Sequence, residues 1–293
     1  MSAKNLYISA DPLAKITNTG VDPLVALLGV PFDATSTYRT GARFGPNAIR
    51  EAFLNIEIYS RRLGIDLESR SIDDLGNLTR IGSVNRMSQM VEEVTREIIS
   101  KGLVPAILGG EHSITNGAFR AVDKNCALVV FDAHLDLRPE FEGLQLSHAT
   151  FLRRLVDDGV PSKVIHVGAR AATKSEWDFV AEGGIVTIEA QMMRHLQEAL
   201  DEFERSLTGF EKIYVSIDLD VVDPGFAPGV ANPETDGISP RDLLDFLYIL
   251  QGKSIVGFDI VELCPTYDNG STSTLAAKLL LELSCLIELK RTR

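Results

Sequence analysis

Cysteine is scarce in this 293-residue chain: three residues, an odd number, with none of the spacings of a metal finger. Cys126 and Cys264 fall in apolar, strand-like runs, where a reduced thiol packs as a small hydrophobe. Positive charge is also in deficit, with 29 Lys and Arg against 41 Asp and Glu, a net charge of −12. Nucleic-acid binding runs on clustered cations, and this balance argues against it. It suits a small cationic substrate, because a negative surface raises the local concentration of cations. Residues 1–7 (MSAKNLY) lack the apolar core of a signal segment. The most apolar late stretch, 275–289, is interrupted by Lys278, Glu282 and Glu288, which predicts an amphipathic helix rather than a membrane span. A cytoplasmic protein with no membrane partner is the expectation. No repeat, low-complexity tract or linker divides the sequence, so one domain over 1–293 is expected.

What is present is ample apolar material, 45% of residues, with 24% charged, enough for a large core. Apolar-rich runs at 24–30, 104–108, 127–132, 163–167, 185–188, 212–218 and 254–261 read as strands of a covered sheet, and 71–75 is a short strand candidate. Between them, helical patterns cover 45–54, 87–101, 114–122, 148–157, 175–182, 191–206, 240–250 and 272–290. Gly45-Pro46 opens the first and Gly102 stops the second. Eight strands alternating with helices predict an α/β fold, a mostly parallel sheet with helices on both faces.

Chemistry-bearing residues recur where those strands end. FDAHLD at 131–136 places Asp132, His134 and Asp136 two residues apart, and SIDLD at 216–220 does the same for Asp218 and Asp220. An extended backbone sends alternate side chains to one side, so each run is expected to aim its metal-capable groups together, with Ala133, Leu135 and Leu219 pointing away. His112 in GGEHS and Glu262 follow two further strands. Open α/β sheets place ligands at that edge, near a topological switch point. One Asp-x-Asp alone is usually a strand end or a turn. Four separate segments delivering His, Asp or Glu to one edge call for compensating positive charge, and two divalent ions supply it economically. Oxygen-rich ligation with one or two imidazoles suits Mn²⁺, Mg²⁺ or a similar ion better than a thiolate-type zinc site. Such a pair lowers the pKa of a shared water, making hydroxide available to attack an electron-poor carbon.

The motifs GGEHS (109–113), DAHLD (132–136), SIDLDVVDP (216–224), DIVEL (259–263) and YRTGARFGPNAIR (38–50) together resemble those of the ureohydrolases, the arginase and agmatinase family. The resemblance runs over most of the chain from about Gly29. It implies a three-layer α/β/α fold and a binuclear manganese site, other divalent ions such as Mg²⁺ or Co²⁺ substituting in vitro, that hydrolyses guanidino compounds to urea and an amine. One ion would take His112, Asp132, Asp136 and Asp218; the other His134, Asp132, Asp218 and Asp220. Asp136 would also hydrogen-bond the bridging hydroxide. Glu262 would anchor the guanidinium, and His148 would pass a proton to the departing amine. A trimeric or hexameric homo-oligomer is implied as well.

Within that family the sequence points toward agmatine. The loop 137–147 does not reproduce the Asn and Ser with which arginases hold an amino-acid head group. Gly168-Ala-Arg170 is followed by Ala171, Ala172 and Thr173, without the carboxylate that would meet an α-ammonium. Agmatine has a terminal ammonium and no carboxylate, so Glu140 or Glu142 is expected to pair with it. APGVANPE at 227–234 replaces the APGTGTPE of many relatives, which bears on the length of amine accepted. Aminopropyl-agmatine, arginine and guanidinobutyrate are the alternative substrates. A one-metal zinc deacetylase would not require Asp136 and Asp220 together, and a non-catalytic binding module would not require all six ligands. Among the remaining polar residues, His166 reads as a core histidine, His195 as solvated on a polar helix, and Asp33, Arg39 and Arg43 as packing or assembly residues.

Overall fold

A computed structural model of the chain describes residues 7–8 and 20–291. The first six residues, expected to carry no signal segment, lie outside the described residues. The strands are β1 (Val25–Val30), β2 (Tyr59–Ser60), β3 (Ile65–Asp66), β4 (Ile72–Asn77), β5 (Val104–Gly109), β6 (Ala127–Phe131), β7 (Lys163–Val167), β8 (Ile185–Ile188), β9 (Lys212–Asp218) and β10 (Ser254–Val261). The α-helices are α1 (Gly45–Phe53), α2 (Val84–Ser100), α3 (Ile114–Arg120), α4 (Phe151–Asp157), α5 (Lys174–Ala181), α6 (Leu196–Ser206), α7 (Pro240–Ile249) and α8 (Ser271–Arg291). β2 and β3 form a separate two-stranded antiparallel ribbon; the other eight make one sheet in the order β4-β1-β5-β10-β9-β6-β7-β8. Every pairing in that sheet is parallel.

Burial on both faces explains the near-continuous apolar strands. In β6, Val129 and Phe131 join one core with Phe203 and Phe246, while Leu128 and Val130 join the opposite core with Phe119 and Phe151. Helices α1, α6, α7 and α8 cover the first face and α2 to α5 the second, giving three layers. The end of the 38–50 motif is structural: buried Arg50 on α1 forks onto both oxygens of Asp74 in β4 at 2.8 Å. α8 departs from the amphipathic expectation. From Leu275 to Leu289 no residue is exposed, because Glu282 bonds Ser60 at 2.6 Å and Lys278 at 2.7 Å, and Glu288 meets Arg70 at 3.3 Å. Paired carboxylates can be buried at tolerable cost, so the helix packs on nearly all sides. Among the described residues no helix is long and apolar enough to cross a membrane.

Strand order fixes where ligands gather. The chain passes from β5 to β6 across a gap that β9 and β10 fill only later, so the sheet's switch point lies among these four strands. Their C-terminal ends release 110–113, 132–136, 218–220 and 262 side by side. The loop after β1 joins them through a close backbone approach: a Cβ on Gly110 would stand 1.7 Å from the Phe32 carbonyl oxygen, which instead accepts the Glu111 N–H at 2.7 Å.

Candidate metal centre

The two acidic runs converge, but not by strand alternation. β6 ends at Phe131, and Asp136 takes a left-handed φ of 51°. Asp218 closes β9, and Leu219–Val221 turns as a short 3-10 helix. The backbone itself aims the carboxylates. Asp132 Oδ1 accepts the His134 N–H at 2.6 Å, Asp218 Oδ1 accepts the Asp220 N–H at 2.8 Å, and Asp220 Oδ1 accepts the Ala133 N–H at 3.1 Å. In each case one oxygen is pinned by an amide and the other is left for a cation.

Those second oxygens crowd the imidazoles. His112 Nδ1 lies 2.9 Å from Asp132 Oδ2, 3.2 Å from Asp218 Oδ2 and 3.5 Å from Asp136 Oδ2. His134 Nδ1 lies 3.0 Å from Asp220 Oδ2 and 3.6 Å from Asp132 Oδ1. The donor atoms of His112, Asp132 and Asp218 lie within 4.8 Å of one another, and so do those of Asp132, His134 and Asp220. Buried His112 Nδ1 and Asp132 Oδ2 have no hydrogen-bond partner despite their proximity, which is the arrangement of ligands around a common ion. The donor set therefore fits two divalent cations sharing Asp132. The His112 ring is locked with Nδ1 as its free nitrogen, because Nε2 lies 2.9 Å from Ser216 Oγ, which donates to buried Asp259 at 2.6 Å.

Without cations the cluster is frustrated. Burial disfavours the charged form of His112, but the adjoining Asp132 carboxylate, 2.9 Å away, and the charge of Asp136 outweigh it and raise its pKa to about 9. Asp218 is pushed well above the carboxylate range by burial, then by Asp220 and Asp132; Asp136 rises likewise, through burial and then Asp132. His112 must lose its proton to bind metal. Divalent-ion uptake at pH 7 is therefore expected to release protons, and affinity to rise up to about tenfold per pH unit for each proton displaced, levelling above pH 9. Calorimetric titration in buffers of different ionisation enthalpy counts those protons. Affinity that does not change between pH 6 and 8 would contradict this assignment.

Glu262, just beyond β10, is held at φ 66° and accepts the His112 N–H on Oε1 at 2.8 Å. Its Oε2 is buried and unpartnered, and burial together with Glu111 raises its pKa to about 8. His148 precedes α4 rather than opening it, and its ring packs edge-on against Phe141 with centroids 5.5 Å apart. Both line a cavity of about 350 Å³, with His112, His134, Asp136, Asp218 and Asp220 in its walls. Burial, then the neighbouring His134 and His112, lowers the His148 pKa to about 4.

Glu140 and Glu142 do not reach this cavity. Phe141 and Leu144 exchange two hydrogen bonds of 2.9 Å across a tight turn, with Glu142 and Gly143 at φ 50° and 79° on its tip. That turn sends the Phe141 ring inward and leaves both carboxylates exposed to solvent. The acids that do line the outer wall are Glu176 and Glu234, beside Asn232 from the divergent 227–234 segment. Glu176 is buried, accepting from Leu137 N–H at 3.0 Å and from Thr173 N–H and Oγ1 at 2.8 and 2.7 Å. Thr173 and Glu176 form a capping box at the start of α5, and a T-x-x-E spacing signals such a cap but not a cavity. His166 is a buried histidine whose Nε2 lies 2.8 Å from the His134 carbonyl oxygen, and His195 is exposed. Asp33 ties its loop by accepting from Gly41 N–H at 2.9 Å and pairing with Arg43 at 2.5 Å. Arg39 lies over the rings of Tyr38 and Tyr267.

The arginase-family model matches residues 24–285. The agmatinase of Bacillus anthracis is 36% identical over 259 residues, covering 86% of this chain and 88% of that protein. The N(1)-aminopropylagmatine ureohydrolase of Thermococcus kodakarensis is 37% identical over 258 residues, 87% of each. Among solved structures, the agmatine ureohydrolase of Thermoplasma volcanium superposes with a TM-score of 0.88 at 35% identity, covering 97% of both chains.

Proposed function

This chain is a member of the arginase family, and from that premise we propose that it is a manganese-dependent ureohydrolase cleaving agmatine to putrescine and urea. The observation that carries this reading is the pair of donor clusters meeting at Asp132, in one cavity with a buried carboxylate, Glu262, that has an unpartnered oxygen. One ion is assigned His112, Asp132, Asp136 and Asp218, and the other His134, Asp132, Asp218 and Asp220. When bound, the ions make hydroxide available near neutral pH and draw charge from the reacting carbon.

The surrounding residues divide the remaining work. Glu262 Oε2 accepts from the guanidinium, whose positive charge favours the ionised carboxylate and fixes the carbon over the nucleophile. Asp136 accepts a hydrogen bond from the attacking hydroxide. His148 carries the proton that the departing amine nitrogen must gain as its C–N bond breaks. The terminal ammonium lies toward Glu234, whose side chain is 46% exposed on the rim and stands 3.9 Å from His134 Nε2. Glu234→Gln is expected to raise KM for agmatine by about three- to tenfold with kcat nearly unchanged, as loss of a binding contact equal in ground and transition states does. A steady-state comparison with the wild type checks it, and an unchanged KM would remove Glu234 from the site.

Aminopropyl-agmatine is the second reading, favoured by the Thermococcus relative and by the altered 227–234 wall carrying Asn232 and Glu234. Assay of the manganese-loaded protein for urea against agmatine, aminopropyl-agmatine, arginine and guanidinobutyrate decides between them. Preference for arginine, or no urea at all, would overturn the proposal. The protein is further proposed to act as one domain in a cytoplasmic homo-oligomer, a trimer or hexamer. Its three buried, free cysteines are compatible with reducing surroundings.

A further inference from the structure

One ring nitrogen of His148 meets a buried partner. His148 Nδ1 lies 3.2 Å from Thr35 Oγ1, and the same oxygen accepts the His148 backbone N–H at 3.0 Å. Thr35 is in turn clamped by Glu111, which is fully buried: Oε1 accepts the Thr35 hydroxyl at 2.5 Å and the Ser113 hydroxyl at 2.6 Å, and Oε2 accepts the Thr35 N–H at 2.7 Å. Counting donors decides the arrangement. A threonine hydroxyl has one proton and two lone pairs. The proton goes to the Glu111 carboxylate and one lone pair to the His148 backbone N–H. What remains for Nδ1 is a lone pair, so Nδ1 must be the ring nitrogen that carries hydrogen.

We propose that Thr35, held by Glu111, is a positioning residue that fixes His148 in its Nδ1–H tautomer and so leaves the Nε2 lone pair to the cavity. This rests on the role given to His148 above. Its consequence is a direction of proton flow. As hydroxide adds to the guanidinium carbon, its remaining proton passes to Nε2. As the carbon–nitrogen bond breaks, Nε2 returns that proton to the amine, and the Nδ1 proton never moves. In the opposite tautomer Nε2 would already be protonated and could not take the first proton. Glu111 thus does for the proton carrier what Asp259 does through Ser216 for His112: a hydroxyl relays a buried carboxylate to an imidazole.

Two variants and one spectrum test this. Thr35→Val keeps the shape and removes the hydroxyl, and is expected to lower kcat by about 10²-fold, the low end of acid–base contributions, with KM for agmatine and metal content within about twofold of wild type. Thr35→Ser restores the hydroxyl and is expected to recover most of kcat. In magnesium-loaded protein, ¹⁵N spectra of ring-labelled histidine are expected to show His148 with hydrogen on Nδ1, and Thr35→Val to give mixed tautomers. Wild-type kcat in Thr35→Val, equal losses in the valine and serine variants, or hydrogen on Nε2 in the wild type would each overturn the proposal. Absence of urea from every guanidine in the wild type would instead defeat the functional reading, while the tautomer spectrum would still report on Thr35.

Discussion

Asp218→Asn is expected to abolish measurable urea release, a loss of about 10³-fold or more, while the metal-free protein melts at a higher temperature than wild type. Both effects follow from one carboxylate. Asp218 Oδ1 is committed to the Asp220 N–H, and Oδ2 stands 3.2 Å from His112 Nδ1 among the proposed ligands. Asparagine preserves volume and can keep the amide contact, but it removes a negative charge that two bound cations would share. Lewis-acid stabilisation worth several kcal/mol depends on that charge. In the metal-free protein the same charge is a liability, since burial and then Asp220 and Asp132 push its pKa far up. Neutralising it relieves like-charge repulsion. Urea assays with excess manganese, together with thermal melts in chelator, check both halves; activity within tenfold of wild type would remove Asp218 from the centre.

Glu262→Gln is the second large effect: a fall in kcat/KM of about 10²–10³-fold, the scale of losing a charge-assisted contact that also orients the reacting carbon. Glutamine can still accept the His112 N–H, so the loop after β5 is expected to survive. The pH dependence of stability separates this residue from a structural one. Burial and Glu111 raise the Glu262 pKa to about 8, so the folded metal-free protein binds a proton there that the unfolded chain releases near pH 4.5. A carboxyl raised in this direction contributes fully below the unfolded value and loses its contribution as pH climbs through 8. Wild-type metal-free protein should therefore lose melting temperature between pH 5 and 9 more steeply than Glu262→Gln. Parallel melting profiles for the two proteins would contradict the assignment.

The sheet was legible because its inner strands are buried on both faces and leave apolar-rich runs bounded by turn residues; the edge strand β4, IDDLGN, departs from this. The centre was legible for a related reason: 112, 132, 218 and 262 each follow such a run, and parallel strands release their ends along one edge. The local mechanism was not legible. Alternation in an extended chain would have aimed Asp132, His134 and Asp136, yet the strand stops at Phe131 and backbone amides aim the carboxylates instead. Periodicity cannot report a left-handed residue at Asp136, because only tertiary contacts hold one there. Glu140 and Glu142 looked suitable by charge and position, but the turn at 142–143 turns them to solvent. Thr35 and Glu111 stand 76 residues apart, and Thr35 and His148 stand 113 apart. Neither pairing leaves a trace in spacing. α8 misled for the opposite reason: its charges looked solvent-facing until Ser60, Lys278 and Arg70 supplied partners.

The claim beneath the rest is that two cations sit between His112 and His134, joined through shared carboxylates. Anomalous diffraction at the manganese edge, from crystals grown with Mn²⁺, reads this directly. The expected map has two peaks roughly 3.5–4 Å apart, one beside His112 Nδ1 and one beside His134 Nδ1, with Asp132 and Asp218 reaching both. A single peak, or none at the C-terminal edge of β5, β6 and β9, would contradict it.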